Sequence, residues 1–349
     1  MSAGTMKTTS TRRAASAMKP TAPPSTDSLS RILQPVTREL DLVTQRLLDC
    51  LQTPVAKLVA YLITAGGKRM RPALVLLAGR SGDARTHERE LVDLATAVEL
   101  VHTATLVHDD IIDRSPMRRQ QQTFHERFGT ERAVLMGDYL YASAFSMIAG
   151  VGHPDVMIYM ASVCQEICRG EFQEVECRYN LELREEEYLE IVRDKTASLI
   201  AACCHLGAQL SGAAPEVTDR VTRFGWDLGM AFQIVDDCLD LTGDEETVGK
   251  ALRSDLEKGS LSLPLIYLAK SLTSTAREFL FAPVARKRMD RRFLARIAKE
   301  AARRGAIDRA MDTARGFAAQ AAAALADTDE IAEADAYRAL ADYAIQRMH

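Results

Sequence analysis

LVDLATAVELVHTATLVHDDIID, residues 91–113, decides the fold class. Leu91, Leu94, Ala95 and Val98 recur at spacings of three and four with charges between them, which is the period of a helix with one apolar face. The run ends in Asp109, Asp110 and Asp113. At about 100° per residue Asp113 comes round to about 40° from Asp109, so these two carboxylates share a face one turn apart. Like charges so placed repel by about 0.2–0.5 kcal/mol on a bare helix, and a cation belongs beside them. Hard oxygen ligands at the end of an apolar helix suit Mg²⁺, which keeps waters and is shared with phosphate oxygens. Taken alone, the motif reads as a solvated acidic helix end, the usual reading of an isolated DDxxD.

A second copy of the spacing overturns that bland reading. FQIVDDCLD, residues 232–240, sets Asp236, Asp237 and Asp240 after another apolar run. Two such triplets facing each other across a bundle require metal ions, because unpaired buried charge costs several kcal/mol. A polyphosphate bridged by Mg²⁺ resolves both charges. Cations stand nearby in sequence: GGKRMRP at 66–72 supplies Lys68, Arg69 and Arg71, and Arg118 and Arg119 follow Asp113. Guanidinium forks and ammonium groups suit phosphate oxygens, so the pattern describes two anionic groups, one held through metal and one held directly.

Helical periodicity runs from residue 29 onward without βαβ alternation, which predicts an all-α chain. Stops are expected at Gly66-Gly67, Gly150 to Pro154, Gly212 to Pro215, Gly243, Gly259 and Pro283. The Ala-, Arg- and Glu-rich part from Arg286 reads as helices closing around the core, and no solenoid period recurs. With 44 Lys plus Arg against 48 Asp plus Glu, the net charge is −4, which gives no support to a nucleic-acid partner. Only 6% of residues are aromatic, and 19 Gly with 11 Pro exclude collagen-like and prion-like chains. Seven cysteines with no C-x-x-C pair read as reduced thiols, and Cys203, Cys204 and His205 point about 100° apart on a helix rather than to one metal. No run reaches the roughly 18 consecutive apolar residues of a membrane span, so membrane contact is expected to be peripheral. Residues 1–28, rich in Ser, Thr, Ala and Pro, are expected to be a disordered tail. Their Arg-bearing, acid-poor character resembles a transit peptide, although three prolines spoil an amphipathic helix and a plain bacterial tail reads as well. A cytoplasmic location is expected, with organellar import if the tail is a transit peptide.

From residue 29 to 349 the sequence resembles the trans-isoprenyl diphosphate (polyprenyl) synthases. The resemblance rests on GGKRMRP, HTATLVHDDIID followed by Arg118-Arg119, GDYLYASAF at 137–145, GEFQE at 170–174, KTASL at 195–199, FQIVDDCLD, Gly249-Lys250, DLEKG and LPLI, in that order. It implies a single all-α isoprenoid synthase domain, a helical bundle around a deep central cavity with both Asp-rich motifs at its mouth. It further implies head-to-tail condensation, in which an allylic diphosphate such as farnesyl or geranylgeranyl diphosphate loses pyrophosphate and is attacked by isopentenyl diphosphate. By the same likeness Asp109, Asp110, Asp113, Asp236, Asp237 and Asp240 hold about three Mg²⁺ ions on the allylic diphosphate. Arg118, Lys195 and Lys250 contact that diphosphate, Thr196 and Gln233 line the allylic site, and Lys68, Arg71, His102 and Arg119 bind isopentenyl diphosphate. A homodimer is implied as well, and a long product would be released near a membrane surface.

Product length follows from shape. Ala104 and Thr105, about one turn before Asp109, are small where short-chain relatives carry an aromatic floor, which predicts a long-chain product of roughly C30 or above. Phe145 in the next helix is a candidate lower floor. The chain departs from the family pattern at Gln120 to Gln122, where Gly is common after Arg119, at Ser260, where Lys is usual, and at Glu174, where Gln is common. At Ser260 one cationic contact to the allylic diphosphate is either missing or supplied by Lys258 from a shifted position. The rival readings are a short-chain geranylgeranyl diphosphate synthase, a terpene cyclase or head-to-head synthase, and a non-catalytic subunit of a heteromeric synthase. The second diphosphate site at Lys68, Arg71 and Arg119 argues against the cyclase, and two intact Asp motifs argue against the silent subunit.

Overall fold

A computed structural model describes residues 26–49, 55–64, 66–242, 254–326 and 331–347. Helices α1 (Thr26–Ile32), α2 (Thr37–Asp49), α3 (Ala56–Thr64) and α4 (Met70–Gly79) lead to α5 (Glu88–Ile112), the acidic helix. A short hairpin, β1 (Met117–Arg118) with β2 (Gln121–Gln122), precedes α6 (Phe124–Phe128), α7 (Thr130–Val151), α8 (Pro154–Glu176) and α9 (Glu185–Val192). Beyond them come α10 (Ser198–Leu210) and α11 (Pro215–Thr242), which carries the second Asp motif. Helices α12 (Ser254–Lys258), α13 (Leu263–Lys270), α14 (Ser274–Ala285), α15 (Arg291–Arg303), α16 (Ala306–Ala324) and α17 (Ala334–Gln346) complete the all-α bundle.

The 3.6-residue period acts as the sequence predicts: Leu91, Leu94, Ala95 and Val98 are all buried. Helix α5 packs along α7, and α10 lies between α4 and α11. Two apolar clusters divide α11 between them. Its first half, with Val217, Val221, Phe224 and Leu228, joins α4, α5, α7 and α10. Its second half, with Ile234, Val235, Cys238 and Leu241, joins α9, α13, α15 and α16. The second Asp motif therefore lies on the part of α11 that packs with the second cluster. By length and composition α5 and α7 would each pass for a membrane span, but α5 is mostly buried in the bundle and ends in carboxylates.

Between α9 and α10, residues Arg193–Ala197 widen into a π turn that holds Lys195 and Thr196. Single π turns mark places where a helix is adapted to function. Two glycines make room for this one. A Cβ on Gly170 of α8 would stand 2.6 Å from the backbone nitrogen of Lys195, and a Cβ on Gly229 of α11 would stand 2.6 Å from Cα of Ala197. The glycines let both neighbouring helices touch the bulge.

Two expectations need correction. Helix α1 begins at Thr26, inside the stretch assigned to a disordered tail; residues 1–25 lie outside the described residues. Pro283 does not stop α14 but sits within its last turn, where the helix runs two residues further before ending at Ala285. The all-α expectation holds, with one short antiparallel hairpin at residues 117–122. Gly243, Cys50 and the Gly249-Lys250 pair also lie outside the described residues.

The hairpin explains one departure from the family pattern. Arg119 and Gln120 occupy its two turn positions with φ of 50° and 62°, the left-handed pair of a two-residue turn. A residue with a side chain costs about 1–2 kcal/mol there, and Gly avoids the cost. Gln120→Gly is expected to raise stability by about 0.5–1 kcal/mol after the greater unfolded-state entropy of Gly is counted. Urea unfolding of the two proteins checks this, and a less stable variant would contradict the turn assignment.

Candidate active site

A cavity of about 660 Å³ opens between α4, α5, α8, the π turn, α11 and the turn after α17. That volume suits a small-molecule ligand. Its lining carries the cations Lys68, Arg69, Arg71, Arg118, Arg119, Lys195 and Arg347, against the acids Glu99, Asp109, Glu171 and Asp236. Cations outnumber acids, so the cavity attracts anions although the whole chain is acidic. Leu106, Ile167, Leu199, Ile200, Phe232 and Leu239 give it an apolar wall. A smaller cavity, about 140 Å³, adjoins it and shares Lys195, Thr196 and Gln233; Asp113, Glu174, Tyr188, Asp237, Asp255 and Ser260 line the rest.

The six aspartates have distinct surroundings. Asp109 and Asp236 line the main cavity, one from each motif. Burial pushes Asp109 up to about 7 against the pull of Lys195, so its ionised form is held at a cost. Asp110 turns away from that cavity: both its oxygens accept from Arg118 Nε, at 2.9 and 3.1 Å. Asp113, at the end of α5, pairs with Arg178 at 2.6 Å and Lys258 at 3.0 Å. Asp237 is buried and accepts from the Tyr188 hydroxyl at 2.7 Å and Gln233 Nε2 at 2.8 Å. Burial drives it well above the usual carboxylate range, with Asp255 adding to the rise. Asp240 is fully buried and accepts from the Asp255 backbone N–H at 3.4 Å.

The basic residues fall into two groups. Burial opposes the charged form of Lys195, yet Glu174, Asp109 and Glu171 together raise its pKa, and its ammonium pairs with both glutamates. Thr196 donates to Gln233 Oε1 at 3.0 Å, so Thr196, Gln233 and Asp237 form one chain of hydrogen bonds. On the other side Arg71 Nη1 stands 3.0 Å from His102 Nε2, and the Arg71 Nε is buried with no protein partner. His102 is pushed well below the usual imidazole range, chiefly by burial and then by Arg71, Arg119, Arg118 and Arg69. A neutral ring must therefore accept from Arg71. Arg119 reaches back to the Gly66 carbonyl, joining the hairpin to the Gly66-Gly67 loop.

The structure thus gathers Lys68, Arg71, His102, Arg118, Arg119, Lys195, Thr196, Gln233, Asp109 and Asp236 at one cavity. Lys250 lies outside the described residues. Thr105 lines the cavity, whereas Ala104 is fully buried beside it and Phe145 is half-buried against the core, away from both cavities. At the two departures, Ser260 donates to Glu174 at 3.1 Å and Lys258 pairs with Asp113 of the first Asp motif at 3.0 Å. Arg178, Tyr188, Tyr343 and Arg347 escape sequence reading, because none belongs to an Asp-rich or Gly-Lys pattern and only folding brings them to the site. Cys203 and Cys204 are buried, and His205 stacks on Tyr159 with ring centroids 4.3 Å apart.

A profile of the family described as Polyprenyl synthetase matches residues 52–300. The heptaprenyl diphosphate synthase component 2 of Geobacillus stearothermophilus is 42% identical over 61% of this chain and 66% of its own length. The short chain isoprenyl diphosphate synthase of Methanothermobacter thermautotrophicus is 33% identical over 83% of this chain and 89% of its own. The matched stretches take in only 66%, 60% and 64% of three of the curated relatives. Among solved structures, a polyprenyl synthase from Caulobacter crescentus complexed with calcium and isoprenyl diphosphate superposes with a TM-score of 0.87. It is 33% identical, and the match covers 95% of this chain and 100% of that one.

A depressed histidine pKa adds stability above the unfolded value of about 6.5 and loses it as pH falls through that value. Folded wild-type protein is therefore expected to weaken between about pH 7 and 5 more steeply than His102→Gln, which has no such proton to take up. Urea unfolding at both pH values measures the slopes, and equal slopes would refute a neutral His102.

Proposed function

The chain belongs to the polyprenyl synthetase family, and from that premise we propose that it condenses isopentenyl diphosphate with an allylic diphosphate, farnesyl or geranylgeranyl diphosphate, to give a long-chain trans-polyprenyl diphosphate. The observation that carries the reading is the cavity itself: a cation-rich lining with one aspartate from each motif, together with an apolar wall. Diphosphates fit the cations and prenyl chains fit the wall.

Among the described residues no three acidic, His or Cys side chains form a closed metal cage. Mg²⁺ does not need one, since it takes one or two carboxylates and completes its shell with water and phosphate oxygens. Asp109 fits that role, because a carboxylate pushed up to about 7 by burial is re-ionised by a divalent cation beside it. Asp109 and Asp236 would hold the metal from opposite motifs, with Asp113, Asp237 and Asp240 completing the acidic surroundings and Asp110 aiming Arg118. When bound, Mg²⁺ neutralises charge on the diphosphate leaving group.

The chain's own residues do the rest. Arg118 and Lys195 attract the allylic diphosphate, and their positive charge favours departure of pyrophosphate with the electron pair of the C–O bond. Lys68, Arg71 and Arg119 hold the second diphosphate so that its double bond faces the allylic carbon. His102 positions Arg71 by accepting its hydrogen bond. Leu106, Leu199, Ile200 and Phe232 exclude water from the allylic cation, and loss of a proton completes the new double bond.

Small Thr105 on the cavity wall, with Ala104 beside it, supports a long product, as does the likeness to a heptaprenyl synthase component. The short-chain relative supports the alternative of a shorter, geranylgeranyl product. A homodimer is supported by the exposed apolar side chains Leu135, Ile158 and Phe172 on α7 and α8, which a second copy would cover. The relative named component 2 favours a second reading in which a different chain covers that face. A cytoplasmic setting with peripheral membrane contact on product release fits this chemistry.

Purified protein with Mg²⁺, isopentenyl diphosphate and farnesyl or geranylgeranyl diphosphate is expected to give extended prenyl diphosphates by chromatography; no product beyond the primer would end this reading. Asp109→Ala and Asp236→Ala should each lower kcat by at least about 100-fold, as for lost transition-state charge stabilisation. Near-normal turnover in either would remove the metal assignment. Thr105→Phe is expected to shorten the chains, and an unchanged product distribution would remove Thr105 from length control.

A further inference from the structure

Arg347, in the turn after α17, belongs to none of the motifs that mark the site, yet it lines the cavity. Its Nη1 stands 2.7 Å from Asp236 Oδ1, and its guanidinium lies over the Phe232 ring, 4.4 Å from the centroid. The side chain is only 18% exposed. One turn earlier Tyr343 is buried, and the Lys68 ammonium sits 5.1 Å from its ring centroid. The end of α17 thus lies between an aspartate of the second motif on one side and a cation of the second diphosphate site on the other.

Those two sides make competing demands. A carboxylate oxygen already paired with a guanidinium is a poor ligand for a divalent ion, which needs it at about 2.0–2.1 Å and repels the guanidinium. A guanidinium displaced from Asp236 remains in a cavity shielded from water, where leaving it unpaired is costly. Tyr343 and Arg347 are four residues apart, about 6 Å along a helix, so a small turn of the side chain brings the guanidinium towards whatever anion Lys68 holds. A diphosphate offers the paired oxygens that its fork fits.

We propose that Arg347 is an exchange cation: it neutralises Asp236 until a divalent ion takes that carboxylate, and then binds the diphosphate of isopentenyl diphosphate beside Lys68. The inference rests on Asp236 being a metal ligand. It gives the site an order, in which metal and the allylic diphosphate enter before the second diphosphate finds its full set of cations. It also gives Arg347 opposite effects on two ligands, which a merely structural residue would not have.

The test uses the full chain and two neutral variants, Arg347→Met, which keeps the apolar stem on Phe232, and Arg347→Gln. Mn²⁺ binding is followed by electron paramagnetic resonance without substrate, and KM for each substrate is measured separately. Both variants are expected to bind Mn²⁺ more tightly by about threefold or more, since a competing cation is gone, while KM for isopentenyl diphosphate rises about tenfold. KM for the allylic diphosphate should stay within about twofold. Arg347→Lys should restore part of both effects. Variants that bind Mn²⁺ no more tightly than wild type, or whose KM for isopentenyl diphosphate is unchanged, overturn the exchange. If wild-type protein itself binds no Mn²⁺, the metal reading of Asp236 falls and this inference falls with it.

Discussion

Six aspartates on the ends of two helices that converge on one cavity would repel one another, and burial magnifies the cost because water no longer screens them. The site exists because other parts of the chain oppose those charges. Arg118 of the hairpin takes Asp110, Arg178 and Lys258 take Asp113 from two different connections, Tyr188 and Gln233 take Asp237, and Arg347 takes Asp236. Apart from Gln233, which shares α11 with Asp237, the partners arrive on separate elements, so the charge balance ties together α5, the hairpin, the end of α8, α9, α11, α12 and the turn after α17. Asp109 is left facing the cavity with its pKa pushed up to about 7, and it carries the imbalance that a divalent ion would relieve.

Lys195 shows how the backbone serves this balance. In a regular helix its side chain would follow the α repeat, but the π turn at Arg193–Ala197 shifts the register and sets Lys195 and Thr196 between the two cavities. The shift is possible only because Gly170 and Gly229 have no Cβ to collide with the bulge. Glu171 and Glu174, on the turn of α8 just after Gly170, then meet the ammonium. The GEFQE and KTASL stretches are one device built from two helices. Glu174 in place of Gln and Ser260 in place of Lys belong together, since the serine hydroxyl donates to the carboxylate that also holds Lys195.

The fold class and both acidic motifs were legible because they depend on local spacing. Helix α5 follows from its apolar period, and the pairing of Asp-rich triplets with nearby Lys and Arg needs only near-neighbour reasoning. Three things were not legible for physical reasons. Spacing places Asp109 and Asp113 on one face but cannot show that Asp113 meets Arg178 and Lys258, whose positions depend on tertiary packing. Composition marks Pro283 as a breaker, yet a proline in a last turn forfeits a hydrogen bond that packing of the preceding turns outweighs. The roles of Tyr188 and Arg347 come from long-range contacts that leave no periodic trace in the chain.

Local and total charge also answer different questions. A net charge of −4 says that the molecule as a whole does not gather polyanions, while the cavity presents more cations than acids. Field strength in a cleft is set by the charges that line it and by how poorly its walls screen them, so the surplus there outweighs a small deficit spread over the surface. The acidic motifs do not cancel that surplus, because most of their members are already paired away from this cavity. The cavity is lined by seven cations and four carboxylates, two of which, Asp109 and Asp236, come from the acidic motifs. The same placement explains why acids can be plentiful beside a cation-rich cavity: they pair with and position the cations that line it.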